Sequence, residues 1–236
     1  SSEESGRNLK LLNAKNIKYF GNLKFCSNNQ DLNEFRKPKL IDIKKKKVWC
    51  AVSTHENEEG LIISSLERIS KKYQIINFII APRHPSRSKL IYKLLQDKQL
   101  DVEYYSKFKN LDCRFLIIDS FGKMEQFFNI SDIVFLGGSL SKKGGHNPIE
   151  AATANCAIIT GSNVFNWQNL YEDMVAKDAC IMINEVKEFE TKVITLIENK
   201  KLVENLKENA LTFSNTVFFQ EDKLLELLNN RLEKNA

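Results

Sequence analysis

The feature that most limits what this chain can fold into is a repeated change of hydrophobic period. Short runs rich in β-branched and aromatic residues occupy positions 48–52, 75–81, 101–105, 115–119, 132–136, 157–160 and 180–183. Between them lie amphipathic stretches whose apolar residues recur every three or four positions, at 58–73, 89–99, 124–129, 148–154, 168–176 and 186–198. Short apolar strands joined through helices pair side by side in one direction, so the pattern predicts a parallel α/β sheet flanked by helices. One more strand-like run covers 17–20, and after Asn199 the pattern is all helical, near 202–213 and 221–234.

Composition narrows the class. The 236 residues, 42% hydrophobic and 28% charged, suffice for one large domain or two small ones, and no apolar run approaches the ~18 residues of a membrane span. Five cysteines, scattered without a C-x-x-C pair, argue against a disulfide framework or a zinc site and fit a reducing cytoplasm. The net charge of +5 owes much to Lys44-Lys45-Lys46-Lys47, read as a solvated run ahead of a strand, with an anionic membrane surface as the alternative. No interleaved aromatics support nucleic-acid binding. Positions 21–47, with Asn28-Asn29, Pro38 and the lysines, read as a linker, so the compact domain is expected to start near Lys47. The opening Ser1-Ser2-Glu3-Glu4-Ser5-Gly6 has neither initiator Met nor signal-peptide character, which reads as a piece of something longer.

Ligands of parallel sheets sit where the strands end at their carboxyl edge. That rule selects four loops: Ser53-Thr54-His55-Glu56, Pro82-Arg83-His84-Pro85, Asp119-Ser120-Phe121-Gly122, and the long junction from Gly137 to Glu150. All three histidines fall within them. The junction is the richest, reading Gly137-Gly138-Ser139-Leu140-Ser141-Lys142-Lys143-Gly144-Gly145-His146-Asn147-Pro148-Ile149-Glu150. Glycines remove Cβ atoms where backbone N–H groups would approach a phosphate, and Asn147-Pro148 reads as N-cap and first helical residue, with the helix dipole facing the loop. The alternative is a tight turn with no ligand; Lys143, His146, Asn147 and Glu150 favour a site for an anion.

Arg83, held between two prolines, offers a planar, permanently charged fork suited to phosphate; the alternative is a structural salt bridge. His84 either shapes its loop or contacts ligand. Ser53, Thr54 and His55 offer two hydroxyls and an imidazole, or a cap for the next helix. Glu56, Glu58 and Glu59 read as a first-turn charge bias and not as catalytic groups. Asp119 and Ser120 read as an N-cap, with Ser120 also a possible phosphate donor. Glu150, one turn into its helix, could accept hydrogen bonds from a ribose diol or serve within the helix. Phe165, Asn166 and Trp167 read as packing and capping residues. No P-loop, G-x-S-x-G elbow, H-E-x-x-H helix or G-x-G-x-x-G motif occurs, and neither a metal nor a cofactor is expected.

These loops in order resemble the 3-deoxy-D-manno-octulosonic acid (Kdo) transferases of lipopolysaccharide synthesis. The resemblance runs from Glu3-Glu4-Ser5-Gly6 through Gly21-Asn22-Leu23-Lys24-Phe25, then Ser53-Thr54-His55-Glu56-Asn57-Glu58-Glu59, Pro82-Arg83-His84-Pro85, Gly137-Gly138-Ser139 and Gly144-Gly145-His146-Asn147-Pro148-Ile149-Glu150. It implies a Rossmann-like parallel sheet forming the C-terminal, donor-binding domain of a GT-B glycosyltransferase over 47–236, with 1–46 an interdomain segment left from the N-terminal domain. It implies CMP-Kdo as donor, and a lipid A precursor bound by a membrane-associated N-terminal half that also supplies the general base. The location implied is the cytoplasmic, inner face of the bacterial inner membrane, with peripheral contact to its surface. At Asp119-Ser120-Phe121-Gly122-Lys123-Met124 the family typically has D-T-M-G-E-L, which leaves the contacts of Phe121 and Lys123 open.

The resemblance further implies inverting transfer, in which an acceptor hydroxyl attacks the anomeric carbon while CMP leaves. Arg83, Lys143 and the N–H groups of the loop from Gly137 to Gly145 would stabilise the departing phosphate. Asn147 and Glu150 would hold the phosphate or ribose side of CMP, and Ser53, Thr54, His55, Pro82, His84, Asp119, Ser120, Phe121, Gly137, Gly138, Ser139, Gly144, Gly145 and His146 would complete the pocket. A UDP-sugar transferase or epimerase of the same fold, or a non-catalytic nucleotide-binding or scaffold module, are the competing readings.

Overall fold

The computed structural model describes residues 3–18, 20, 47–74, 76–107, 113–122, 124–217 and 221–233. The chain divides into two compact units, one within Glu34–Phe213 and a smaller one from Ser1–Asn33 with Ser214–Ala236. The larger unit is a seven-stranded, wholly parallel sheet in the order β3-β4-β2-β1-β5-β6-β7. Its strands are β1 (Lys47–Thr54), β2 (Ile76–Pro82), β3 (Val102–Tyr104), β4 (Phe115–Ile117), β5 (Ile133–Leu136), β6 (Ala157–Gly161) and β7 (Ile181–Ile183). The crossovers carry helices α2 (Glu59–Lys72), α3 (Ser88–Asp97), α4 (Met124–Phe128), α5 (Ile149–Thr153) and α6 (Gln168–Ala176), followed by α7 (Glu188–Glu198) and α8 (Lys200–Val217).

The expected fold class is therefore the observed one, and each strand expected from 48 onward appears, trimmed or extended by a residue or two. The run at 17–20 differs: its described residues 17, 18 and 20 lie in no strand. Instead the smaller unit contains a helix, α1 (Glu3–Leu11), that the periodicity did not signal, and α9 (Glu221–Glu233). Leu225, Leu228 and Leu232 form an exposed stripe along α9. The expected linker lies outside the described residues apart from Lys47, which opens β1 and donates to the Ile197 carbonyl at 2.9 Å.

Both sheet faces are covered, which is why β2 is buried along its whole length. Trp49 of β1, Phe135 of β5 and Phe189 of α7 interlock, with Phe189 edge-on to both at centroid distances of 6.0 and 5.2 Å. Each such fully buried ring contributes about 1.5–3 kcal/mol through removal from water. Among the described cysteines, Cys50, Cys113, Cys156 and Cys180 are free and buried, and burial pushes the Cys50 and Cys180 thiols up to about 12.

What positions a site is strand order. The chain leaves β1 toward β2 on one side and later returns to β5 on the other. The loops after β1 and β5 therefore diverge and leave a crevice at the carboxyl edge, the usual ligand position in such sheets.

Candidate functional site

The β1 loop begins with a backbone turn that few residues tolerate. Ser53 has φ 55°, and the pairing of β1 with β2 shifts register between Val52 and Thr54. Beyond it the His55 carbonyl accepts from the N–H groups of Glu58 at 3.3 Å and Glu59 at 3.4 Å. The Glu58 side chain reaches back to the His55 N–H at 2.9 Å, which is half of a capping box. The same oxygen, Oε1, accepts from the Gly138 N–H at 2.6 Å, while Oε2 is buried without a partner. Glu58 is wholly buried, and desolvation raises its pKa against the opposing N–H groups of Gly138, His55 and Leu140.

The glycine junction meets protein before it meets any ligand. A Cβ on Gly137 would lie 2.6 Å from Glu58 Oε1 and 2.6 Å from the Ser53 carbonyl oxygen; one on Gly144 would meet Asn166 at 2.2 Å. Gly137 N–H donates to Val52, Lys143 N–H to Ser141 and Gly145 N–H to Gly138, each to a backbone carbonyl. The expected phosphate cradle of N–H groups is thus largely committed internally, including the Gly138 donor held by Glu58. The following helix α5 is five residues long, and its Ile149 N–H is taken by Asn147 Oδ1 at 3.0 Å. Asn147 does cap, as expected, but Pro148 precedes the helix, whose single turn carries little dipole.

Two more expected ligand residues face inward. Ser139 is fully buried, its hydroxyl donating to the Leu136 carbonyl at 2.6 Å and accepting from Gly161 N–H at 2.8 Å. Thr54 is also buried and donates to Glu59 at 3.4 Å. Neither hydroxyl is open to a ligand, because each ties its loop to a neighbouring element. Pro82 likewise lies buried as the last residue of β2.

Three histidines and two cations do converge. His55 Nε2 and His146 Nε2 are 3.0 Å apart, with rings 8° from parallel and centroids 5.2 Å apart. That centroid distance is about the nitrogen contact plus two ring radii, so the rings point at each other nearly in one plane, sharing one proton rather than stacking. His84 stands edge-on to His55 at 6.2 Å, and Gly138, at φ 68°, passes so close that a Cβ would lie 3.2 Å from His146 Nε2. Desolvation first, then Lys143, His84 and Arg83, lower the His55 pKa against the opposing pull of Glu59. Desolvation, His55 and Arg83 lower His146 to about 4, so the pair is neutral near pH 7.

Arg83 and Lys143 are exposed, and among the described residues neither has a carboxylate partner. The salt bridge considered for Arg83 is made instead by Arg87, whose guanidinium reaches the buried Glu59 at 2.6 Å. Other candidates sit apart. Asp119 accepts from the Ser106 N–H at 3.0 Å and from its hydroxyl, so it braces the turn after β3 rather than capping α4. No hydrogen bond, ion pair or ring contact links Ser120 or the exposed Phe121 to the histidines among the described residues, and Lys123 lies outside them. Glu150 has an exposed side chain, yet partial desolvation of its carboxyl and the Glu125 charge raise its pKa.

Sequence reasoning missed Tyr171 and gave two other supports lesser parts, Glu58 as a first-turn charge and Asn166 as a packing or capping residue. Asn166 holds the Lys143 carbonyl at 3.0 Å, and the buried Tyr171 hydroxyl donates to the His146 carbonyl at 2.8 Å. The sequence trace of the Glu58 role is its place as the acid three positions after His55.

Residues 33–213 match the model of the family described as glycosyl transferases group 1, and the chain belongs to that family. It is 30% identical over 223 residues to the 3-deoxy-D-manno-octulosonic acid transferase of Haemophilus influenzae, covering 92% of this chain and 52% of the relative. The same identity holds over 217 residues with the enzyme of that name from Rickettsia bellii, at 90% and 52%. The chain thus spans about half the length of these curated relatives. Among solved structures, the C-terminal CMP-Kdo binding domain of WaaA from Acinetobacter baumannii superposes with TM-score 0.68 at 23% identity, covering 72% of this chain and 90% of that one. That likeness establishes the fold as a GT-B C-terminal domain.

Proposed function

We propose that this chain is the donor-binding half of an inverting glycosyltransferase that moves Kdo from CMP-Kdo to a lipid A precursor. The observation that carries the reading is the crevice beside β1 and β5, where Arg83 and Lys143 have no carboxylate partner among the described residues and stand beside a neutral histidine pair. Such cations beside a partly desolvated imidazole pair suit a phosphate whose charge grows as a bond breaks. The naming of the relatives supports Kdo as the sugar.

In this mechanism the acceptor hydroxyl attacks the anomeric carbon, the glycosidic C–O bond to phosphate breaks, and CMP departs with the electron pair. Arg83 and Lys143 stabilise that phosphate through side chains, since the glycine-loop donors are mostly engaged elsewhere. The histidine pair contributes neutral polarity and one movable proton. Glu150 is assigned to the ribose diol, and acceptor binding and the general base to residues outside this chain. The whole enzyme is assigned to the inner face of the inner membrane, in peripheral contact.

Calorimetric titration of CMP, UMP and UDP into the chain tests the donor. CMP should bind most tightly, and preference for UDP would overturn the assignment in favour of a UDP-sugar enzyme. Flotation of the whole enzyme with anionic lipid vesicles tests the location, and an enzyme that never floats refutes the membrane contact.

A further inference from the structure

We propose that Glu58 is the positioning residue of the donor site, clipping the glycine junction to the β1 loop and so setting the contact between His55 and His146. The inference deepens the proposed donor-binding role and rests on it for its meaning, though not for its geometry.

Position alone would make Glu58 a helix-dipole residue, since it precedes α2. Its carboxylate does not cap the N–H groups of α2; it reaches back to the turn before that helix and across to the glycine junction. One oxygen instead joins His55 N–H at 2.9 Å to Gly138 N–H at 2.6 Å, across eighty residues of sequence. Both donors lie beside backbone in the left-handed region, Ser53 at φ 55° and Gly138 at φ 68°. The Ser53 conformation, costly for a residue with a side chain, persists only where surroundings over-determine it, whereas Gly138 adopts its own freely. The acceptor is wholly buried, so water cannot take its place. Gly137 lets the carboxylate in, because any Cβ there would fall 2.6 Å from Oε1.

The two loops so joined carry the two imidazoles whose Nε2 atoms meet at 3.0 Å. Gly138 is the hinge between clip and pair: its N–H goes to Glu58 and its α-carbon faces both rings. A hydrogen bond between two rings on separate loops tolerates little displacement. Glu58 therefore acts through Gly138 and His55 and touches no ligand itself.

The test uses ligand-free chain with 15N-labelled histidine, reading by NMR the shared imidazole proton and its coupling to both Nε2 atoms. Wild type shows it. Glu58→Gln keeps an acceptor oxygen and should retain the signal; Glu58→Asp, one methylene short, and Glu58→Ala should lose it. Leu66→Ala, a core variant away from the loops, lowers the melting temperature without erasing it. The signal surviving in folded Glu58→Ala overturns the proposal; should that variant not fold, survival in Glu58→Asp overturns it equally. CMP affinity should fall about tenfold or more in the variants that lose the signal, as for a lost charge-assisted contact. Wild type that shows the signal yet binds no CMP refutes the donor reading and leaves the positioning role standing.

Discussion

The two ends of the sheet treat positive charge in opposite ways. At the amino end, Lys71 and Lys98 share Glu67 at 2.8 and 2.7 Å, Lys207 approaches Asp132 at 3.8 Å, and Arg114 binds the carbonyls of Ser70, Tyr73 and Gln74. A polar cleft of about 500 Å³ opens there, lined by Lys71, Lys98, Asp101 and Arg114, whose lysines are held by Glu67 and whose arginine is held by backbone carbonyls, with its Nε left unpaired among the described residues. At the carboxyl end the neighbouring arginines divide the work: Arg87 neutralises Glu59, and Arg83 is left without a carboxylate among the described residues. The amino-end cations named here are spent on neighbouring carboxylates and carbonyls, whereas Arg83 keeps its charge free for the proposed ligand.

Substitutions at the backbone contacts beneath the site should have the largest effects. Gly161→Ala places a Cβ 2.3 Å from the Ser139 carbonyl oxygen and should cost more than about 4 kcal/mol in denaturant unfolding. A stable Gly161→Ala protein would show that the carboxyl end is softer than described. Arg87→Ala strands the buried Glu59 charge and should cost about 3 kcal/mol, whereas Arg83→Ala should leave the unfolding midpoint unchanged. The arginine contrast reverses for ligand: Arg83→Ala should weaken CMP at least about tenfold by calorimetry, the size of a lost charge-assisted bond. Equal behaviour of the two variants in both assays would erase the distinction.

Acid should sharpen it. His146 titrates near 4 when folded and at 6.5 when unfolded, so between those values the unfolded chain binds more protons and stability falls as pH drops. The loss across that window is at most about 3 kcal/mol. Glu58, whose pKa is raised, contributes with the opposite sign, so the readout is the difference in slope between wild type and His146→Gln. Identical slopes would show that His146 is not held neutral. The smallest effect belongs to the amino end: Glu67→Gln should leave CMP affinity unmoved and melting temperature little changed, because ion pairs still reached by solvent add little.

The sheet was legible because strand burial on both faces writes nearly continuous apolar runs, as at 76–82, broken only by Asn77, and 133–136. The four loops followed from the rule about carboxyl ends, and the histidines and Arg83 with them. What could not be read was direction. Ser139 and Thr54 look like ligand hydroxyls in sequence, and only three-dimensional neighbours, Gly161 N–H and Glu59, turn them inward. Glu58 was hidden by its neighbours: among three acids in four positions, burial separates it from exposed Glu56, and its partner Gly138 lies far along the chain. Helix α1 escaped because its few apolar residues give the periodicity little to act on.

The crowding at Gly137, Gly144 and Gly161 has a consequence for redesign. With backbone or braced side chains closer than a methyl group allows, the floor of the crevice cannot be recarved one residue at a time. An engineer wishing to alter ligand preference is left with the solvent-facing rim, at Arg83, His84 and Lys143, where side chains can change without disturbing the ground they stand on.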